Sequence, residues 1–295
     1  MADGSPPTYG GQAVLEGVMM RGRRYAAVAV RAPSSRIVIR SERLPARLYG
    51  GWIGRTPFVR GLTILWDSLG LGMKALMFSA DVVQEGEEGA ELSKPLQWGT
   101  IAVALVVGVG GFFLLPLAVA GLVERAIPNS LLANTLEGLF RLALLIGYVW
   151  AIGFVPDIRR VFGYHGAEHM TIHAFEAGDS LDVEHIKRYP PAHPRCGTAF
   201  LLLVVAISIV LFALLGSPDW PVRVLSRLLG IPVIAGVAYE VLKFGGRHVD
   251  NPLVKLVVGP GLALQALTTR CPEPDMIEVA VAAFQEMQRL ELESA

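Results

Sequence analysis

Charged side chains are scarce in this 295-residue chain: Asp, Glu, Lys and Arg make up 18% of it, against about a quarter in soluble domains. With hydrophobic residues at 53% and a mean hydropathy of +0.48, the composition points to a membrane protein. The charges that are present cancel, 26 basic against 26 acidic, which leaves no electrostatic footprint for nucleic acid. Cysteine is scarcer still. Cys196 and Cys271 form neither a CxxC nor a scaffold spacing; one disulfide is open to them, but reduced cytoplasmic thiols are the expected state. The first apolar run long enough for a signal-peptide core lies far from the N-terminus, so no cleavable leader is expected.

What is abundant is long apolar sequence. The stretch between Lys94 and Glu124 carries no charge and is longer than the roughly 20 residues a spanning helix needs. The stretch 131–155 is apolar apart from Glu137 and Arg141, which at i, i+4 can pair and so lower their cost near lipid. Cys196 to Pro218 is uncharged throughout, and 224–244 carries LLGIPVIAGVAY followed by Glu240. The expected spans are therefore four, at about 98–123, 131–155, 196–218 and 224–244. A fifth run, Leu256 to Thr269, is too short to span and contains Gly259-Pro260-Gly261, which predicts a re-entrant or interfacial pair of half-helices. Pro57 to Ala80 is apolar but interrupted by Arg60, Asp67 and Lys74, which predicts an amphipathic helix on the membrane surface within 56–97.

Lys and Arg set the orientation. Twelve of the 26 precede the first span, one lies in 124–130, five in 156–195, two in 217–227 and five from Lys243 onward. Four spans with both termini in the cytoplasm satisfy that alternation, and the histidine-rich loop 156–195 is then cytoplasmic too. In the N-terminal region (1–55), Ala27–Arg31 and Arg36–Arg40 flank a Pro-Ser-Ser turn and read as a β-hairpin. Ahead of it GGQAVLEGVMMRG reads as a tight glycine-rich turn with no phosphate-binding glycine spacing. Pro274 to Leu292 has apolar residues at helical spacing and reads as an amphipathic cytoplasmic helix within 273–295. The fold class is thus mainly α: a polytopic membrane domain, 98–272, with a small β-containing N-terminal region.

The stretch FGYHGAEHMTIHAFE, Phe162 to Glu176, holds three of the six histidines and spells H-x-x-E-H at its centre, the inverted zincin signature. On a helix with His165 as the origin, His169 falls at ~40°, His173 at ~80°, Glu176 at ~20° and Glu168 at about −60°, all on one polar face. His165 and His169 could bind one divalent metal, with zinc the expected ion, and Glu168 could act as general base on the metal's water. Glu240 ends the fourth span at the cytoplasmic side, where a carboxylate is costly without a partner; it is the expected third ligand. His173, Glu176 and the pair His193 and Cys196 of HPRCGT are the runners-up, and Tyr164 or a spare histidine could stabilise an oxyanion. The plainer reading is a solvated juxtamembrane helix, since a five-letter match is weakly specific by itself.

Taken together, GGQAVLEGVMMRG, FGYHGAEHMTIHAFE, HPRCGTAF and AGVAYE, in that order along nearly the whole chain, resemble the YqhQ-like bacterial membrane family. That group has no established function and is described as containing predicted metal-dependent enzymes. The resemblance implies a multipass bacterial membrane protein and points to Gly10, Gly11, Gln12, Glu16, Gly17, Met19, Met20, Arg21 and Gly22. It points equally to Tyr164, His165, Gly166, Glu168, His169, Glu176, His193, Pro194, Cys196, Gly197, Tyr239 and Glu240. Met170 departs from the family motif, where a lysine is expected.

The expected function is a metal-dependent hydrolase of the inner membrane, acting on a peptide or lipid-linked substrate reached from the bilayer. The rival is a non-catalytic channel, transporter or assembly factor with a structural or regulatory metal, which the broken Gly259-Pro260-Gly261 segment favours. A weaker third is a scaffold whose two ends bind a soluble partner. Self-association is left open.

Overall fold

The computed structural model describes residues 9–45, 56–84, 94–126, 129–216, 218–248 and 251–294. Four strands come first: β1 (Gly10–Val14), β2 (Gly17–Arg21), β3 (Tyr25–Arg31) and β4 (Ile37–Arg43). Helices α1 (Val59–Gln84), α2 (Lys94–Val109), α3 (Leu115–Ala126), α4 (Ser130–Ile152) and α5 (Pro156–Glu176) follow, with a π-helical turn, Gly110–Leu114, joining α2 to α3. Then come the single turn α6 (Val183–Ile186), α7 (Thr198–Leu215), α8 (Trp220–Arg247), α9 (Pro252–Thr268) and α10 (Pro274–Glu293). The chain divides into two units, each made of separated stretches. A sheet unit takes Met1–Gly89, Ile152–Cys196 and Gln265–Ala295; a helical unit takes Ala90–Ala151 and Gly197–Leu264.

The sheet unit is built on an antiparallel meander with strands paired in chain order. The expected hairpin is the β3–β4 pair, whose turn places Ser35 at φ 63°. β1 and β2 go beyond the expectation: GGQAVLEGVMMRG is itself a hairpin, with Gly10 opposite Arg21 and Val14 opposite Gly17. Its tight turn puts Glu16 at φ 48°, a region that ordinarily favours glycine. β3 reads YAAVAVR, apolar at consecutive positions, because both faces of the sheet are covered. Val18, Met20, Ala27 and Ala29 face α5 and α10. Val14, Met19, Ala26, Val28 and Val30 face the other way, against Leu71, Ala75 and Val82 of α1. α1 thus spends its apolar face on the sheet, while Trp66 and Leu69 remain exposed. α10 forms over the expected residues and buries a stripe of Met276, Ile277, Ala280, Phe284 and Met287. α5 is buried on nearly every side from Phe162 to Ala174, so a helix rich in polar groups lies at the centre of this unit.

In the helical unit, among the described residues, three helices are long and apolar enough to cross a membrane: 131–152, 198–215 and 224–246. The first expected span, 98–123, is interrupted. Its apolar part, 98–112, is shorter and runs into the π turn at Gly110–Leu114. Instead of two half-helices, 252–268 is one helix continuing through Pro260; a single proline removes one backbone hydrogen bond and need not end a helix held by its neighbours. Large apolar side chains point outward from α7, α8 and α9, among them Val210, Leu214, Leu229 and Leu253. The expected Glu137–Arg141 pair is present at 2.8 Å, and Arg227 of α8 joins it, 2.9 Å from the second Glu137 oxygen. All three are buried, and the Arg227 guanidinium lies 4.1 Å from the centre of the Phe212 ring.

Candidate metal centre

α5 begins at Pro156, a residue pre-set for the first helical position, and carries Asp157 in its first turn. Packing against the sheet and α10 fixes its rotation, and the i, i+4 spacing brings the His165 and His169 rings to 4.4 Å between centres. Gly166, between them, has no side chain because the Arg270 carbonyl occupies that space. The segment leaving α9 therefore lies directly on α5, with the Arg270 amide donating to the Phe162 carbonyl at 2.9 Å.

Each histidine has one ring nitrogen committed to backbone. His165 Nδ1 donates to the Thr268 carbonyl at 2.8 Å, and His169 Nδ1 donates to the Pro191 carbonyl at 2.6 Å. Those bonds fix the tautomer and leave both Nε2 atoms as lone-pair donors. His165 Nε2 is 3.3 Å from Cys196 Sγ, and the ligating atoms of His165, His169 and Cys196 all lie within 4.8 Å of one another. Burial lowers the pKa of His165, and burial with the neighbouring His165 pushes His169 down to about 3. Both rings are neutral at physiological pH, the form that ligates a metal.

The remaining histidines extend the row. The His193 ring centre is 5.7 Å from that of His169 and 4.5 Å from that of His173. Its main chain is clamped by Gln265, which accepts from the His193 amide at 2.8 Å and donates to its carbonyl at 2.9 Å. Burial holds His193 down to about 4. Its Nε2 lies 3.6 Å from Glu176, whose carboxylate also bonds Arg195. His173 Nε2 donates to the Ala192 carbonyl at 2.9 Å. His193, beside both His169 and His173, with Glu176 3.6 Å from its Nε2, thus extends the row from the His165, His169 and Cys196 cluster.

Glu168 and Tyr164 face elsewhere. Glu168 is 4% exposed and lies against β1, where a Cβ added to Gly11 would come 2.8 Å from the carboxyl carbon. Burial raises its pKa to about 8, opposed by the hydrogen bond it accepts from the Gly11 amide. The Tyr164 hydroxyl donates to Glu16 at 3.2 Å, and Glu16 is held by Arg160 at 2.5 and 2.6 Å. Burial, then Glu16, raises the tyrosine pKa. That ion pair anchors the left-handed turn residue of the β1–β2 hairpin onto α5. Glu240 belongs to α8 in the helical unit.

Sequence reasoning identified His165, His169 and Cys196 but missed Pro191, Thr268 and Gln265. The first two act through carbonyl groups, which carry no side-chain signature. Gln265 had a signal: it is the one amide in the apolar run LVVGPGLALQALTT and is fully buried.

A family model described as "Protein of unknown function (DUF1385)" matches residues 56–290. The "Uncharacterized protein YqhQ" of Bacillus subtilis (strain 168) is 33% identical over 300 residues, covering 97% of this chain and 94% of that protein. No solved structure matches the chain. A match over most of the chain, together with a relative aligned nearly end to end, places the chain in the DUF1385 family, alongside the YqhQ protein of Bacillus.

Proposed function

We propose that the chain is a membrane-embedded metal-dependent hydrolase whose zinc-type ion is held by His165 Nε2, His169 Nε2 and Cys196 Sγ. The observation that carries this reading is the convergence of one ligating atom from each of those three residues within 4.8 Å of one another, on rings that each have one nitrogen tied down by a backbone carbonyl. Three protein ligands of nitrogen and sulfur type with an open fourth position suit catalytic rather than structural zinc. Such an ion supplies Lewis acidity to a carbonyl or phosphoryl oxygen. Of the chain's own groups, His193 and Glu176 border the cluster and would orient a substrate, a peptide or a lipid-linked molecule. Glu168 would have to turn from the Gly11 amide toward the cluster to carry the proton as general base. Cys196, a runner-up in the sequence, replaces Glu240 as third ligand in this reading.

One observation favours the second reading, a structural metal in a non-catalytic membrane protein: the Glu168 carboxyl is engaged with the Gly11 amide at the sheet edge.

The membrane arrangement is read from the sheet unit. Its three segments form one compact body, which a bilayer cannot divide. That supports an even number of crossings within 90–151 and again within 197–264. α7 and α8 satisfy the second excursion. In the first, α4 needs a partner, and only the α2–α3 segment is available, which supports four spans. The charge distribution supports a cytoplasmic position for both termini in a bacterial cell.

The test is elemental analysis of protein purified without chelator. One equivalent of metal in the wild type is expected, lost in His165→Ala and Cys196→Ala and retained in Glu168→Gln. A metal-free wild type overturns the metal reading. Full hydrolytic turnover in Glu168→Gln would remove that residue from the chemistry.

A further inference from the structure

The helical unit holds a partly open cavity of about 320 Å³. Its walls come from four helices: Leu142 of α4, Leu203 and Ala206 of α7, Leu242 of α8, and Leu256 and Pro260 of α9. All the lining residues are apolar in side chain. A void of this kind does not hold water, because water needs two to four polar partners that the walls do not offer.

The helices cannot close it by moving together. At Gly261 a single added Cβ would lie 2.7 Å from the Cβ of Ala199, so α7 and α9 are already in backbone-limited contact at that level. Ala206, a small residue, stands on the wall of the remaining space. It also has a way in. Ala206 and Leu256 line the cavity and are exposed, on helices whose other outward residues, Val210, Leu214 and Leu253, are large and apolar. The mouth therefore opens through a surface suited to lipid, not to water.

We infer that this cavity is a binding site for a lipid hydrocarbon chain, entered sideways from the bilayer between Ala206 and Leu256. The occupant is fixed by chemistry: it must be apolar along its length, flexible enough to enter between helices, and present at high concentration at the mouth. A membrane acyl chain meets all three conditions. The inference rests on the membrane reading and is independent of the metal cluster.

The test uses the full-length chain reconstituted in phosphatidylglycerol and phosphatidylethanolamine vesicles doped with a phospholipid carrying a diazirine in its acyl chain. After irradiation, labelled peptides are mapped by mass spectrometry. Expected is labelling at Leu203 and Leu242 several-fold above that at Leu214, which is 80% exposed on the same apolar surface. Ala206→Trp, which plugs the mouth, should abolish the excess at Leu203 and Leu242 while leaving Leu214 unchanged. Should that variant fail to fold, Leu203→Ala enlarges the cavity, and labelling at Leu242 should rise. Equal labelling of cavity and surface residues in the wild type overturns the site. So do cavity labels indifferent to both substitutions, and protein–protein crosslinks at Leu256 that mark a second copy as the occupant.

Discussion

His169, His193 and Glu168 are buried in the same unit and titrate in opposite senses. The two histidines, held to about 3 and about 4, stay neutral while an unfolded chain takes up protons below pH 6.5. They therefore destabilise the fold as pH falls through that window. Glu168, raised to about 8, keeps a proton that the unfolded chain has released. Its stabilising effect is fully present below about pH 4.5 and is lost as pH rises through 8. From pH 7.5 to 5.0, with chelator present, the two histidines together should remove about 4 kcal/mol and Glu168 should restore about 3 kcal/mol. Glu168→Gln should thus lose about 3 kcal/mol more than wild type over that interval. Denaturant unfolding of detergent-solubilised protein at both pH values checks it; parallel losses would show that Glu168 ionises freely in the fold. The histidines and Cys196 were legible because their chemistry is written in the side chain. The direction of Glu168 was not. Helical spacing kept it on the polar face, yet its partner is a backbone amide of β1, far away in the chain, that only the strand pairing brings there.

At the scale of elements, α5 is tied to the α9–α10 connection through a missing side chain. Gly166→Ala would drive a methyl into the Arg270 carbonyl, a backbone group that cannot rotate away. Overpacking of this kind costs about 1–3 kcal/mol, and it would also shift Thr268, whose carbonyl fixes the His165 tautomer. Lower metal occupancy together with a lower Tm is expected; unchanged occupancy would mean that the connection adjusts without moving Thr268. The Glu137 cluster gives a parallel case in the helical unit. Glu137→Gln leaves Arg141 and Arg227 buried with a neutral partner, and breaking a buried pair from one side costs about 3–5 kcal/mol. A thermal melt should show a large loss, and a near-neutral result would mean that water reaches those guanidiniums. Helices α1 and α10 and the β3–β4 hairpin were readable from periodicity. The β1–β2 hairpin was not, because its strands are rich in glycine and methionine and its turn uses Glu16 at φ 48°, where glycine or asparagine would have been the signal.

At the scale of the whole molecule, the proposed four-span arrangement makes a prediction about sidedness. Single cysteines at Gly178 and Ser294 should react with a membrane-impermeant maleimide from one side, and cysteines at Asn129 and Asp219 from the other. The background for this test lacks the exposed Cys271. Labelling of Asn129 on the same side as Gly178 would remove α2–α3 as a span.

The meander also sets a timetable. β2 and β3 are made early in synthesis, yet the face carrying Val18, Met20, Ala27 and Ala29 is closed by α5 and by α10, whose Phe284 lies close to the C-terminal end of the chain. Every helix of the helical unit must leave the ribosome before α10 can cover that surface. During synthesis the half-built sheet presents an apolar face and an unfinished edge, the features that invite aggregation. The histidine cluster is assembled on the same schedule, since Thr268 is among its last pieces to emerge. Completion of the histidine cluster thus waits until the helices on either side of α5 in the chain have been made.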